Sequence, residues 1–181
     1  MLVNQRRSSP DDGRPDVDAV RAKRSKQYGQ ETRARHPGHL VGYIAGGATR
    51  YHYNFWRPIT AIRAGDSDGN DATAGDPGWE TFMNTPPLPD YPSTHSVAGG
   101  ASAVVLAGFF GADQVAFSMT SGVPFAGITR SFTSFSQASQ ENADSRIYSG
   151  IHFRTSVQDG IKQGEQIGHR AFAQYLLPYR K

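Results

Sequence analysis

The chain has 181 residues, of which 37% are apolar, 19% charged and 11% aromatic. That length accommodates one domain with one moderate core. The absence of cysteine excludes disulfide frameworks, zinc–thiolate sites, iron–sulfur clusters and cysteine nucleophiles. The net charge of +3 is unevenly held: residues 1–38 carry nine Lys or Arg against five Asp or Glu, and residues 39–181 carry ten against eleven.

Residues 1–38 are rich in Arg, Ser, Pro and Gly and show no apolar periodicity, a composition expected of a disordered, basic, solvated tail. The same basicity is compatible with a nucleic-acid arm, but no nucleic-acid partner is expected. Met1–Val3 runs directly into Asn4-Gln5-Arg6-Arg7, so no signal peptide is expected. The longest nearly apolar run, residues 97–112, contains Ser102 and stops at Asp113. It falls short of the ~20 residues that span a bilayer, so no membrane span is expected.

Residues 39–181 read as one helical domain. Leu40, Val41, Ile44, Tyr51, Phe55 and Ile59 recur at helical spacings and predict a helix over 42–56, stopped or kinked by Pro58. A short continuation is compatible with residues up to 64. Residues 65–77 form an acidic loop. Asp66, Asp68 and Asn70 imitate the start of a calcium loop, but Asp71 and Pro77 occupy its glycine and closing glutamate positions, so a solvated loop is expected. Residues 79–83 form a short helix or turn, and Pro86-Pro87-Leu88-Pro89 is stiff and extended.

A helix over 93–110, ended by Gly111, is apolar nearly all round and so expected to be buried. Further helices are expected over 113–122, 137–148 and 157–176. The last of these begins on a capping box, Ser156-Val157-Gln158-Asp159. No alternating strand pattern stands out, and the fold class expected is mostly α.

Three short stretches carry chemistry. Arg50 and Arg57-Pro58 are seven residues apart, a spacing that would put both arginines on one face of a helix. Tyr91-Pro92-Ser93-Thr94-His95 sits at a helix start, and Ser145-Arg146 is followed by His152. Each is unremarkable alone. Together they describe a site for a tetrahedral oxyanion: guanidinium groups bind it bidentately, and a helix start offers unpaired N–H groups. Ser93 adds a hydroxyl, the Thr94 and His95 amides add donors, and two histidines divide the chemistry between them.

This arrangement resembles the three-part signature of the type 2 phosphatidic-acid phosphatase and vanadium haloperoxidase superfamily. Phe55-Trp56-Arg57-Pro58 and Pro86-Pro87-Leu88-Pro89-Asp90-Tyr91-Pro92-Ser93 are similar to its soluble vanadium chloroperoxidase-like branch. The resemblance covers roughly residues 42–177. It implies a helical bundle, here expected to be the C-terminal catalytic part of a longer protein whose N-terminal half is missing. It also implies that Arg50, Arg57 and Arg146 neutralise the oxyanion and that Ser93 hydrogen-bonds it beside Thr94. His152 would ligate vanadium in vanadate or act as the nucleophile of a phosphatase, and His95 would be the acid–base group. In such haloperoxidases vanadate stays oxidised and, as a Lewis acid, activates hydrogen peroxide toward a halide.

Three positions depart from the pattern. Arg50 replaces a lysine and Thr94 a glycine. Ser156 stands where an aspartate four residues after His152 would orient that histidine. Asp159 is the candidate substitute, and a carboxylate at 156 is expected to favour the ligating tautomer. Three functions are open on this reading. They are a vanadium-dependent haloperoxidase acting on hydrogen peroxide and halide, an acid phosphatase acting on a phosphomonoester with the same pocket, and an inactive remnant that binds polyanions. Relatives of this kind are often exported.

Overall fold

The structure, a computed structural model, describes residues 3–4, 19, 23, 37–122 and 125–175. Among the described residues, five helices carry the fold: α1 (Pro37–Tyr53), α2 (Pro58–Arg63), α3 (Thr94–Phe110), α4 (Phe135–Tyr148) and α5 (Arg154–Tyr175). Three short strands, β1 (Val3–Asn4), β2 (Phe117–Thr120) and β3 (Thr129–Phe132), form an antiparallel sheet in that order. The architecture is mostly α, as expected. Apart from Val3–Asn4, paired with Ser118 and Met119, and the isolated helical positions Ala19 and Lys23, the expected tail falls outside the described residues up to α1. Among the described residues no helix is long and apolar enough to cross a membrane.

α3 is the central element. Ser93 caps its start, its side chain accepting the Ser96 N–H, and Gly111 ends it in the left-handed conformation at φ 78°. It packs on α5, α4 and α1, burying Val97, Ala98, Ala101, Val105 and Phe109. The contact with α5 is backbone to backbone. A methyl group at Gly164 would collide with the Val97 carbonyl oxygen, and one at Gly100 would lie 2.6 Å from the Ile161 carbonyl oxygen. Only hydrogen at these positions lets the axes approach this closely. That approach sets the start of α3 beside the start of α5, where the Ser93 N–H donates to the Ser156 carbonyl at 2.9 Å.

α1 departs from its expected form in two ways. It ends at Tyr53, because Asn54 takes φ 46°, four residues before Pro58 could act. It also turns a different face inward. Leu40, Val41, Ile44 and Tyr51 are exposed, whereas Gly42, Gly46 and Arg50, four residues apart, are buried. A methyl at Gly42 would stand 3.2 Å from Ala98 Cα, so the small face is the one that meets α3.

The helix expected over 113–122 is instead the first strand of a hairpin. Phe117 and Phe132 stack across it with ring centroids 5.2 Å apart. The hydroxyl pairs Ser118–Ser131 and Thr120–Thr129 each close at 2.9 Å on the other face. Residues 79–83 form neither a helix nor a turn: they are irregular, with a bend at 82–83. In the acidic loop, Asp66 accepts the Gly75 N–H and Asp68 accepts from Asn70 and Thr73. α5 begins at Arg154, so Ser156 lies inside its first turn and does not cap it.

Candidate oxyanion site

Arg50 lies in the last turn of α1, and Arg57 is the cap residue of α2, with Pro58 at the first helical position. They do not share a helix face. The turn at Asn54 separates their helices and aims both guanidinium groups at His152, which lies between α4 and α5. Arg50 Nη2 and Arg57 Nη1 each lie 3.2 Å from His152 Nε2. Arg50 Nε donates to the Pro92 carbonyl at 2.9 Å. Arg57 Nε donates to the Leu88 carbonyl at 2.8 Å, and its Nη1 to the Ile151 carbonyl at 2.7 Å. The three motifs therefore meet at these two side chains, each only 5% exposed.

Guanidinium nitrogens only donate, so the His152 Nε2 that faces two of them must be the acceptor. The proton of a neutral ring then belongs on Nδ1. That nitrogen lies 2.7 Å from Asp90 Oδ1 in a close but bent contact. Burial, the dominant effect, holds the His152 pKa below its ordinary value. Asp90 opposes this, and Arg57 and Arg50 reinforce it. The ring is therefore neutral at pH 7, with its Nε2 lone pair presented to the cations.

Asp90 was legible only as part of the proline-rich stretch, with no role attached. It is fully buried. Its backbone N–H donates to the Phe55 carbonyl at 2.8 Å, and its Oδ1 lies 3.6 Å from Arg57 Nη1. The Ser156 hydroxyl donates to its Oδ2. The signal available in sequence was one acidic residue inside Pro86–Pro92 and the lack of an aspartate at 156. Asp159, the expected substitute, is engaged elsewhere: it accepts the Tyr91 hydroxyl at 3.1 Å and pairs with Lys162 at 3.3 Å.

The remaining expected residues lie around this cluster. Ser93 and Thr94 are buried at the start of α3, whose first N–H groups lack helical partners. Arg146 is half-buried in the last turn of α4, and its carbonyl accepts the Ile151 N–H at 3.2 Å. Its charge lowers the Arg57 pKa, after the larger effect of burial and against the pull of Asp90. Burial and then Arg57 bring Arg50 down to about 10. His95 is exposed in the first turn of α3, its ring edge-on to Tyr43 at 6.0 Å. Burial also holds the Arg146 pKa below its ordinary value. A groove between α3, α4 and α5, lined by Ala103, Ala107, Gln140 and Phe172, involves none of these residues.

Among the buried side-chain atoms of the described residues that lack a hydrogen-bond partner are two guanidinium donors, Arg57 Nη2 and Arg146 Nε. Arg50 and Arg57 share a single carboxylate, Asp90, and Arg146 adds its charge beside Arg57, which leaves a local excess of positive charge. Unpaired buried donors are costly, and an anion with several acceptor oxygens satisfies both the charge and the donors. The residues present therefore fit a tetrahedral oxyanion, and vanadate is one.

The chain is similar in sequence and fold to known proteins. The chain is 27% identical over 150 residues to the vanadium chloroperoxidase of Curvularia inaequalis, spanning 58% of this chain and 24% of that one. Its fold superposes on the crystal structure of a bacterial vanadium-dependent iodoperoxidase with a TM-score of 0.69 and 35% identity, covering 80% of this chain and 33% of that one. The fold of a bacterial vanadium-dependent chloroperoxidase is also similar, at TM-score 0.60 and 22% identity over 75% of this chain and 34% of that one. The chain thus spans about a quarter to a third of the length of these relatives. The model of the VCPO second helical-bundle domain matches residues 42–179. With most of its length so matched, the chain belongs to the family of that second helical-bundle domain, in the vanadium haloperoxidase-like branch.

Proposed function

We propose that this chain carries the oxyanion site of a vanadium-dependent haloperoxidase, with vanadate as cofactor and hydrogen peroxide and a halide as substrates. One observation carries the reading: the acceptor Nε2 of His152 lies among guanidinium groups, with the buried donors Arg57 Nη2 and Arg146 Nε left unpaired. The residues that would hold vanadate are Arg50, Arg57 and Arg146 by charge, Ser93 with the Thr94 and His95 amides by hydrogen bonds, and His152 through Nε2. When bound, vanadate supplies Lewis-acid activation of hydrogen peroxide toward halide. The arginines concentrate positive charge where that negative charge is held, in a site largely closed to water. His95, exposed at the start of α3, is the group assigned to move protons. Iodide is the halide proposed, on the 35% identity to the iodoperoxidase.

A neutral histidine with a free Nε2 beside arginines also suits a nucleophile toward phosphorus, so a phosphomonoester hydrolase is the second reading. The experiment is a paired assay on the purified chain: iodide oxidation with vanadate and peroxide, and phosphate release from a generic monoester. Vanadate binding should be competitive with phosphate, since both would occupy one pocket. Iodide oxidation supports the proposal, whereas phosphate release alone assigns the site to the hydrolase. Vanadate binding that ignores phosphate, or neither activity, overturns it.

A further inference from the structure

A histidine that presents its Nε2 lone pair needs an acceptor at Nδ1 to keep the proton there. Ser156 stands at the position where the family signature carries that acceptor. A serine hydroxyl is a weaker acceptor than a carboxylate, and here it is directed elsewhere: it donates to Asp90 Oδ2. We propose that Asp90 is the positioning residue of His152, supplied by the proline-rich loop instead of by α5, and that Ser156 holds Asp90 in place. The inference rests on the reading of His152 as the histidine that faces the oxyanion.

Asp90 is fully buried: its Oδ1 lies 2.7 Å from His152 Nδ1 in a bent contact and 3.6 Å from Arg57 Nη1, and its Oδ2 accepts the Ser156 hydroxyl. Its backbone is held by the Phe55 carbonyl, and the Pro92 carbonyl two residues on is held by Arg50. The Asp90 carboxylate is therefore immobilised on both sides of the loop. Ser156 is itself fully buried, and its carbonyl accepts the Ser93 N–H, which ties α5 to the same loop. Because the side chains at 90 and 156 touch, a carboxylate at 156 would press against that of Asp90. Adding Asp at 156 alone puts two like charges in contact without water, the reverse of the benefit expected from sequence. Moving the carboxylate from 90 to 156 keeps the count at one.

The test is nitrogen-15 NMR of the His152 imidazole on the full chain, with vanadate titration beside it and the resonance assigned through His152→Gln. In the parent, the Nδ1–H tautomer is expected, and the Nε2–H tautomer would overturn the proposal without recourse to any further variant. Asp90→Ala should lose the preference and weaken vanadate binding by roughly 10–100-fold, the range for lost outer-shell partners. A folded Asp90→Ala with unchanged tautomer and affinity overturns it. Ser156→Asp alone should bind vanadate more weakly than the parent, and tighter binding counts against the proposal. Asp90→Ala combined with Ser156→Asp should restore the Nδ1–H tautomer and most of the affinity, a rescue that a purely structural aspartate would not show. Should Asp90→Ala fail to fold, the double variant decides: Nδ1–H supports the proposal and Nε2–H defeats it. A parent whose tautomer depends on Asp90 but which binds no vanadate upholds the positioning role and refutes the proposed function instead.

Discussion

Arg50 and His152, 102 residues apart in the chain, meet at 3.2 Å, while the same guanidinium holds the Pro92 carbonyl at 2.9 Å. One side chain thus joins the end of α1, the loop before α3 and the segment before α5. The planar fork of arginine makes both contacts at once, and the compact ammonium of lysine cannot reproduce that fork.

Arg50→Lys is therefore expected to weaken the fold and the site together, although lysine is the residue of the family signature. The loss of one buried, charge-assisted hydrogen bond costs about 1.5–3 kcal/mol. Urea denaturation should show that loss, and phosphate titration a fall in affinity. Equal stability and affinity in the variant would show that the Pro92 contact contributes nothing.

The two histidines should separate by substitution. His152→Ala removes the acceptor between the two arginines, and vanadate affinity should collapse along with turnover. His95 is exposed in the first turn of α3. His95→Ala should retain most of the affinity and lose turnover by roughly 10²–10⁴-fold, as expected for a lost acid–base group. Equal loss of vanadate from both folded variants would overturn this division of roles.

Acid should destabilise the anion-free protein through His152. Its folded pKa lies below the ordinary 6.5, chiefly because of burial. The unfolded chain then takes up a proton at a pH where the folded chain does not, so stability rises with pH across that interval. Stability is full above about 6.5 and falls as pH drops from there toward the folded value. Denaturation midpoints measured from neutral pH downward should decline in the parent and decline less in His152→Gln. Parallel declines would assign the effect to other groups.

Gly164 and Gly47 should respond in opposite directions. A methyl at Gly164 would strike the Val97 carbonyl, whereas one at Gly47 meets nothing within 4 Å. Gly164→Ala forces α3 and α5 apart at a cost of about 1–3 kcal/mol or more. Gly47→Ala, in the interior of α1, should stabilise by about 0.4–1 kcal/mol through helix propensity and reduced freedom of the unfolded chain. Urea denaturation of both variants tests the pair, and similar shifts would contradict the packing described.

Several features could be read directly from the chain. The helix over 93–110 was legible because a serine cap, a continuous apolar run and a closing glycine are all local signals. The three motifs and their order were legible for the same reason, and they identified the residues that cluster. The hairpin was missed because Phe117–Thr120 is short, and its strand pairing with Thr129–Phe132 is a long-range choice that propensity does not report.

What the sequence determined by itself was the helical class, the central buried helix and the set of cations and histidines proposed to hold an oxyanion. Tertiary structure alone decided which side of α1 is buried, since the apolar spacing marked Leu40 and Ile44 while close helix approach selected Gly42 and Gly46. It also decided the partner of His152. Spacing along one helix pointed to positions 156 and 159, but the carboxylate comes from Asp90, more than sixty residues earlier. Burial and hydrogen-bond partners are set by distance through space, and a loop held at both ends by arginines brings that carboxylate to 2.7 Å from the ring.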